Sequence, residues 1–149
     1  MVIPPDVHTQ LRLCLDKALE REKAGMGNIR VFYPEKKVLR IVVQKGFGQE
    51  FLTYFNEVDV DDSSVCGRAM CMGAPVVVGD VELDADFAPH RHIARSAGFR
   101  SVKSIPLLFE GRAITGTISL HCKDPRWSWN IQHPADLAEI ARLLASIQR

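Results

Sequence analysis

SVKSIPLLFEGRAITGTISLHC, residues 101–122, decides how the chain is read. Residues 101–109 and 113–122 are rich in β-branched and apolar side chains and flank the turn Glu110-Gly111-Arg112, the pattern of a β-hairpin. In the second arm Ile114, Ile118, Leu120 and Cys122 are expected to point one way, and Thr115, Thr117, Ser119 and His121 the other. The hairpin therefore predicts a sheet with one apolar face and one polar face. A plain solvated face would suit the polar row, but short helices expected at 64–72 and 88–97 must cover something. A covered polar face is what a small polar ligand needs.

Working outward, Val7, Leu11, Cys14, Leu15 and Ala18 recur at helical spacing, predicting a helix over 6–24 that Gly25 closes. Residues 28–33 and 38–44 read as strands joined by Pro34-Glu35-Lys36-Lys37, and 50–58 as a short helix. Residues 75–78 read as a buried strand. Pro89 suits the first turn of a helix over 88–97, and Gly98 its stop. Leu137, Ile140, Ala141, Leu144 and Ile147 share one face of a last helix within 131–149. The order is helix, hairpin, mixed centre, hairpin, helix. That is α+β with an antiparallel sheet, one domain spanning 1–149.

Composition narrows the function. With 149 residues, a net charge of +1 and no dense Lys/Arg run, nucleic acid is not an expected partner. The apolar runs are too short for a bilayer, and Met1-Val2-Ile3-Pro4-Pro5 has neither the basic start nor the apolar stretch of a signal peptide. No membrane partner and a cytoplasmic location are expected. Cys14, Cys66, Cys71 and Cys122 are scattered, consistent with reduced thiols.

DSSVCGRAMCMG, residues 62–73, concentrates sulfur. Ser63 or Ser64 makes a good N-cap and Gly73 a good stop for a helix. On it Cys66 and Cys71 are five residues apart, roughly 140° around the axis, so they share neither a metal nor a disulfide. A small buried helix with Cys66 as a compact hydrophobe is the simpler reading, although its place near a helix N-terminus favours a thiolate. In DADFAPHRH, His90 and His92 with Asp84 or Asp86 invite a metal reading. On a helix the two rings would diverge by about 200°, so a turn capped by Asp86 with surface histidines is preferred and no metal is expected. Asp80 after Gly79 suits a turn. Trp127-Ser128-Trp129 is read as core capping. No Ser/His/Asp team, phosphate loop or carboxylate pair stands out.

GNIRVFYPEKKVLRIVVQKGF, SSVCGRAMCMGAPVVVGDVELDADFAPHR and VKSIPLLFEGRAITGTISLHCKDPR together resemble the GAF domain, and more narrowly the GAF sensor modules of bacterial signalling proteins, often attached to histidine kinases. The likeness runs over 28–126. It implies a profilin-like, PAS-like antiparallel sheet with the terminal helices on one face and short lid helices over a pocket on the other. Free methionine sulfoxide reductases are GAF proteins with a similar V-C-G cysteine, here Cys66. Their further cysteine after H-I-A is replaced by Arg95, and a guanidinium cannot attack a sulfoxide. Bilin-binding members attach chromophore through a cysteine where this chain has Ala88-Pro89-His90-Arg91-His92, so no covalent bilin is expected. The cyclic-nucleotide N-K…F…D-E pattern is missing.

The resemblance therefore implies a non-enzymatic sensory or regulatory module that binds a small molecule and signals through its terminal helices to a histidine kinase or other output domain. A thiol-based reductase built on Cys66 and a pure dimerisation module are the alternatives. No cofactor is predicted; an unidentified small polar ligand is. Cys66, Asp80, His90, Ser104, Thr117, Ser119 and His121 are the pocket candidates. Leu13, Leu19 and Leu143 lie off the apolar stripes of the terminal helices and are candidates for a homodimer interface.

Overall fold

Pro5 opens the first helix, α1 (Pro5–Glu22), at a position where its missing N–H is not needed. Lys23 closes it in left-handed backbone, two residues before the expected Gly25, as the Ala24 N–H returns to the Leu19 carbonyl at 3.0 Å. The computed structural model describes residues 3–130 and 134–148. After α1 come β1 (Met26–Tyr33), β2 (Val38–Lys45), α2 (Gln49–Phe55), β3 (Glu57–Asp59), α3 (Val65–Met72) and β4 (Val76–Val78). A 3-10 turn (Ala88–His90) then leads into α4 (Arg91–Ala97), β5 (Ser101–Phe109), β6 (Ala113–Cys122) and α5 (Pro134–Ile147). The helix expected from 131 begins at Pro134; 131–133 and 149 lie outside the described residues.

The strands form one antiparallel sheet in the order β3-β2-β1-β6-β5-β4, an α+β fold. The helix expected over 50–58 is split. It stops at Phe55, and Glu57–Asp59 becomes an edge strand, with Val58 opposite Leu39.

Alternation holds along β6 from Cys122 to Gly116 and then breaks. Gly116 pairs with Leu107 but Ile114 with Leu108, so Thr115 is an extra, bulged residue. The bulge turns Thr115 toward α5, where its hydroxyl donates to the Ala141 carbonyl at 3.0 Å. Ile114 moves to the opposite side, beside Phe32, Val60 and Met70. Both are reversed from the expected faces. Gly116 is required beside this bulge: a Cβ there would lie 1.9 Å from the Arg30 carbonyl oxygen and 2.6 Å from Leu144.

Two apolar layers sandwich the sheet. On one face Leu11, Leu15 and Leu19 of α1 and Ile140, Leu143 and Leu144 of α5 pack on Ile29, Val31, Ile118 and Leu120. Leu19 and Leu143 are therefore spent inside the chain, at 6% and 3% exposure, and offer no surface to a second copy; Leu13 is 62% exposed. On the other face Phe47, Phe51, Phe55, Val65, Cys66, Phe87, Ile93 and Phe99 form the lid layer. Glu22, buried at the end of α1, ties the 123–130 loop down by accepting from Arg126 Nη2 at 3.2 Å and the Asn130 N–H at 3.1 Å. Trp129 stacks under the Arg126 guanidinium at 4.0 Å and joins the helix-side core, while Trp127 lies against Gly79 and is largely exposed.

Candidate functional site

The lid-side face of the three central strands carries polar residues where the other face carries aliphatic ones. On β1, Asn28 and Arg30 alternate with Ile29 and Val31. Asn28 stands opposite Ser119 of β6, which stands opposite Ser104 of β5; Arg30 stands opposite Thr117; His121 stands between Met26 and Val102. Directly opposed side chains lie about 5 Å apart, so the polar residues form one patch. It is not solvated. Asn28, Arg30, Ser104, Thr117, Ser119 and His121 are all buried.

Burial comes from the lid. Ser64 caps α3 by accepting from the Gly67 N–H at 3.1 Å, which fixes the helix so that Val65 and Cys66 face the sheet. Cys66 Sγ lies 3.4 Å from Ser64 Oγ. Cys71 is exposed on another side of the helix, its thiol toward the Val60 carbonyl. Phe51 and Phe55 of α2 and Phe87 and Phe99 on either side of α4 complete the wall. Between lid and patch lies a cavity of about 30 Å³, room for about two or three waters.

His121 meets the edges of three phenyl rings, Phe99, Phe47 and Phe51, with centroids at 4.6, 4.9 and 6.0 Å. This burial, with the Arg30 charge nearby, pushes its pKa down to about 3, so the ring is neutral at physiological pH. Burial likewise lowers the pKa of the Arg30 guanidinium, opposed by Cys66 and Asp62.

Four polar atoms on the patch have no hydrogen-bond partner among the described residues: Asn28 Oδ1, Arg30 Nε, Thr117 Oγ1 and His121 Nδ1. Each such atom costs about 1–3 kcal/mol if left unpaired. Buried polar atoms without partners are few in native proteins; Glu22 Oε1 and Arg68 Nε are two others among the described residues, but these four share the lid-side patch, and Asn28, Arg30 and His121 line the cavity itself.

The structure places Cys66, Ser104, Ser119 and His121 on the cavity wall, with Ser104 and Ser119 hydroxyls 2.5 Å apart. Three other candidates are placed elsewhere. Thr117 faces the lid layer beside Arg30 but does not line the cavity. Asp80 is held by Arg100 at 2.6 and 2.9 Å and accepts from the Glu82 N–H, which keeps its carboxyl below the usual range and makes it a turn-former. His90 bridges Tyr54 Oη and the Asp62 carbonyl, both at 2.9 Å, locking α2, α4 and the segment before α3 together behind the wall.

Arg30, Asn28 and the phenyl wall are absent from the sequence candidates. Alternation in GNIRVFY was the available signal, since Asn28 and Arg30 share a parity opposite to Ile29 and Val31. Around DADFAPHRH, Asp84 rather than Asp86 caps the turn, accepting from the Phe87 N–H at 2.9 Å, and it also pairs with Arg68. No cluster of three metal-ligating side chains occurs among the described residues. Arg95 points outward and pairs with Glu82 at 2.7 Å.

A covered antiparallel sheet, with terminal helices on one face and a polar-lined cavity under short helices on the other, defines a class of pocket-bearing α+β module. The GAF domain model matches residues 21–147, and the chain belongs to the GAF domain family. A comparison with curated proteins finds no match. Among solved structures, the GAF domain region of a putative membrane protein from Geobacter sulfurreducens is similar at 20% identity and a TM-score of 0.72, covering 95% of this chain and 93% of that one. A type II free methionine-R-sulfoxide reductase from Thermoplasma acidophilum is similar at 17% identity and a TM-score of 0.71, covering 95% and 92%. A domain of a putative two-component sensor histidine kinase from Sinorhizobium meliloti is similar at 16% identity and a TM-score of 0.62, covering 99% and 92%. At these identities the likeness establishes the fold. No helix among the described residues is long and apolar enough to cross a membrane.

Proposed function

We propose that the chain is a sensory or regulatory module that binds a small molecule between sheet and lid and signals through α1 and α5, in a cytoplasmic bacterial pathway with a histidine kinase or other output domain as partner. The observation that carries this reading is the set of four unpartnered polar atoms on the lid-side patch of the sheet. Closing a lid over such groups is costly unless a ligand or water supplies their hydrogen bonds. The terminal helices pack directly on the same strands, so a change at the patch reaches them through one layer. Native mass spectrometry of protein purified from its own host tests this: a stoichiometric small-molecule adduct is expected. Its absence, together with no stabilisation by any member of a metabolite library, would refute the reading.

A thiol-based reductase is the second reading, kept because Cys66 lines the cavity and two of the similar structures are titled free methionine-R-sulfoxide reductases. Against it, the Ser64 hydroxyl at 3.4 Å is the hydrogen-bond partner of the Cys66 thiol, and no second cysteine among the described residues lines the cavity. Reduction of free methionine-R-sulfoxide, lost on Cys66→Ser, would establish the reductase in place of the sensor. A homodimer through the terminal helices now rests on the exposed Leu13 face of α1.

A further inference from the structure

Arg30 lies on β1, inside the sheet between β2 and β6, and is 2% exposed. A guanidinium carries its charge at any physiological pH and normally meets a carboxylate when buried. Here it makes one hydrogen bond among the described residues, from Nη1 to the Asn56 carbonyl at 3.5 Å, while Nε has no partner. The Asp62 carboxylate acts on it only from a distance, and no carboxylate of the described residues is in ion-pair contact with it, a costly arrangement for a buried cation. Arg30 is retained on the wall of the cavity, two residues from Asn28 and beside the Ser104–Ser119 hydroxyl pair.

We propose that the pocket takes a compact monocarboxylate of about three to five non-hydrogen atoms, its carboxylate on the Arg30 guanidinium and its short apolar end against the phenyl rings of α2. The inference rests on the sensor reading and names its ligand class. Charge argues for one anionic group. Arg30 is the cation on the cavity wall, and His121 beside it is neutral. The planar fork of Arg matches a carboxylate's paired oxygens, and the Asn28 amide and the serine hydroxyls supply further hydrogen bonds at its edge. Size excludes nucleotides and tetrapyrroles from the cavity as it is shaped. A dianion would bring a second charge into a wall otherwise made of phenyl rings, valines and neutral polar groups.

The test is thermal shift and calorimetric titration of the whole chain near neutral pH in carboxylate-free buffer, with acetate, propionate, acetamide and sulfate. Acetate or propionate is expected to raise Tm by about 5–10 °C at a hundredfold excess over Kd, whereas acetamide, the uncharged isostere, and sulfate leave it unchanged. Arg30→Met is expected to fold with Tm at or above wild type, since it removes an unpaired buried charge, and to weaken acetate binding by roughly 30-fold or more. Acetamide binding as well as acetate, or Arg30→Met binding acetate like wild type, overturns the proposal. So does a lower Tm in Arg30→Met with the acetate response intact, which would make Arg30 structural. If Arg30→Met does not fold, the acetate–acetamide comparison in wild type decides alone. Binding of neutral compounds only removes the carboxylate and leaves the sensor reading standing; binding of neither class removes both.

Discussion

The two faces of the sheet are built from the same strands and have opposite characters. Toward α1 and α5, Ile29, Val31, Ile118 and Leu120 are at most 2% exposed in a mainly aliphatic core, and the Thr115 hydroxyl on that side donates to Ala141. Toward the lid, one residue further along the same strands, Asn28, Arg30, Thr117 and His121 are at most 5% exposed and each holds an atom without a partner among the described residues. The first face follows the rule that maximises stability. The second breaks it at several neighbouring positions, and such local departures from folding logic concentrate at functional sites.

The largest effect that would break this contrast is expected on the helix side. Leu144 is fully buried over Gly116, and Leu144→Ala should cost about 2–5 kcal/mol in urea unfolding. A loss no greater than that of a surface substitution would mean this face is not the stabilising one.

Acid probes the lid side. Unfolded, His121 takes up a proton near 6.5; folded, only near 3, because burial and Arg30 oppose the charge. The unfolded chain therefore binds more protons between those values, so stability is greatest above 6.5 and falls as pH drops toward 3. This residue alone should contribute up to about 1.4 kcal/mol per pH unit. Asp80 and Asp136, held low by Arg100 and Arg21, add their losses only below about pH 4. Chemical denaturation across that window should show the slope in wild type and its loss in His121→Gln. A wild-type profile flat from 6.5 to 4 would place a charged imidazole in the pocket.

The smallest stability change is expected at the outer surface of α1. Leu13→Glu should alter unfolding by within about 0.5 kcal/mol, yet dissociate a dimer built on that helix. Sedimentation of wild type as a monomer at all concentrations would remove the dimer.

Sequence alternation carried the two-faced sheet, because period two is set by the pleat itself. It failed at Thr115, where one bulged residue reverses the parity and no residue type marks the bulge. The three-residue strand Glu57–Asp59 is too short to show a period and exists only through its pairing with β2. His90 lies on a lid segment but is buried rather than at the expected surface, because Tyr54 and Asp62, distant in sequence, hold its ring inward. Alternation assigns Arg30 to the lid-side face but does not mark it as a site residue, for a related reason. A strand arginine is compatible with a solvated face, and only α2 and α3 closing over it turn an ordinary residue into a buried charge.

Thr117 and Ile118 are adjacent on β6, both fully buried, and face opposite layers. Equilibrium unfolding of Thr117→Val and Ile118→Val therefore tests most directly whether the lid face gives up stability that the helix face keeps. Thr117→Val, which removes an unpartnered hydroxyl, should stabilise by up to about 1 kcal/mol, while Ile118→Val should destabilise by about 0.5–1.5 kcal/mol. Opposite signs are the predicted result, and destabilisation by both would contradict the account.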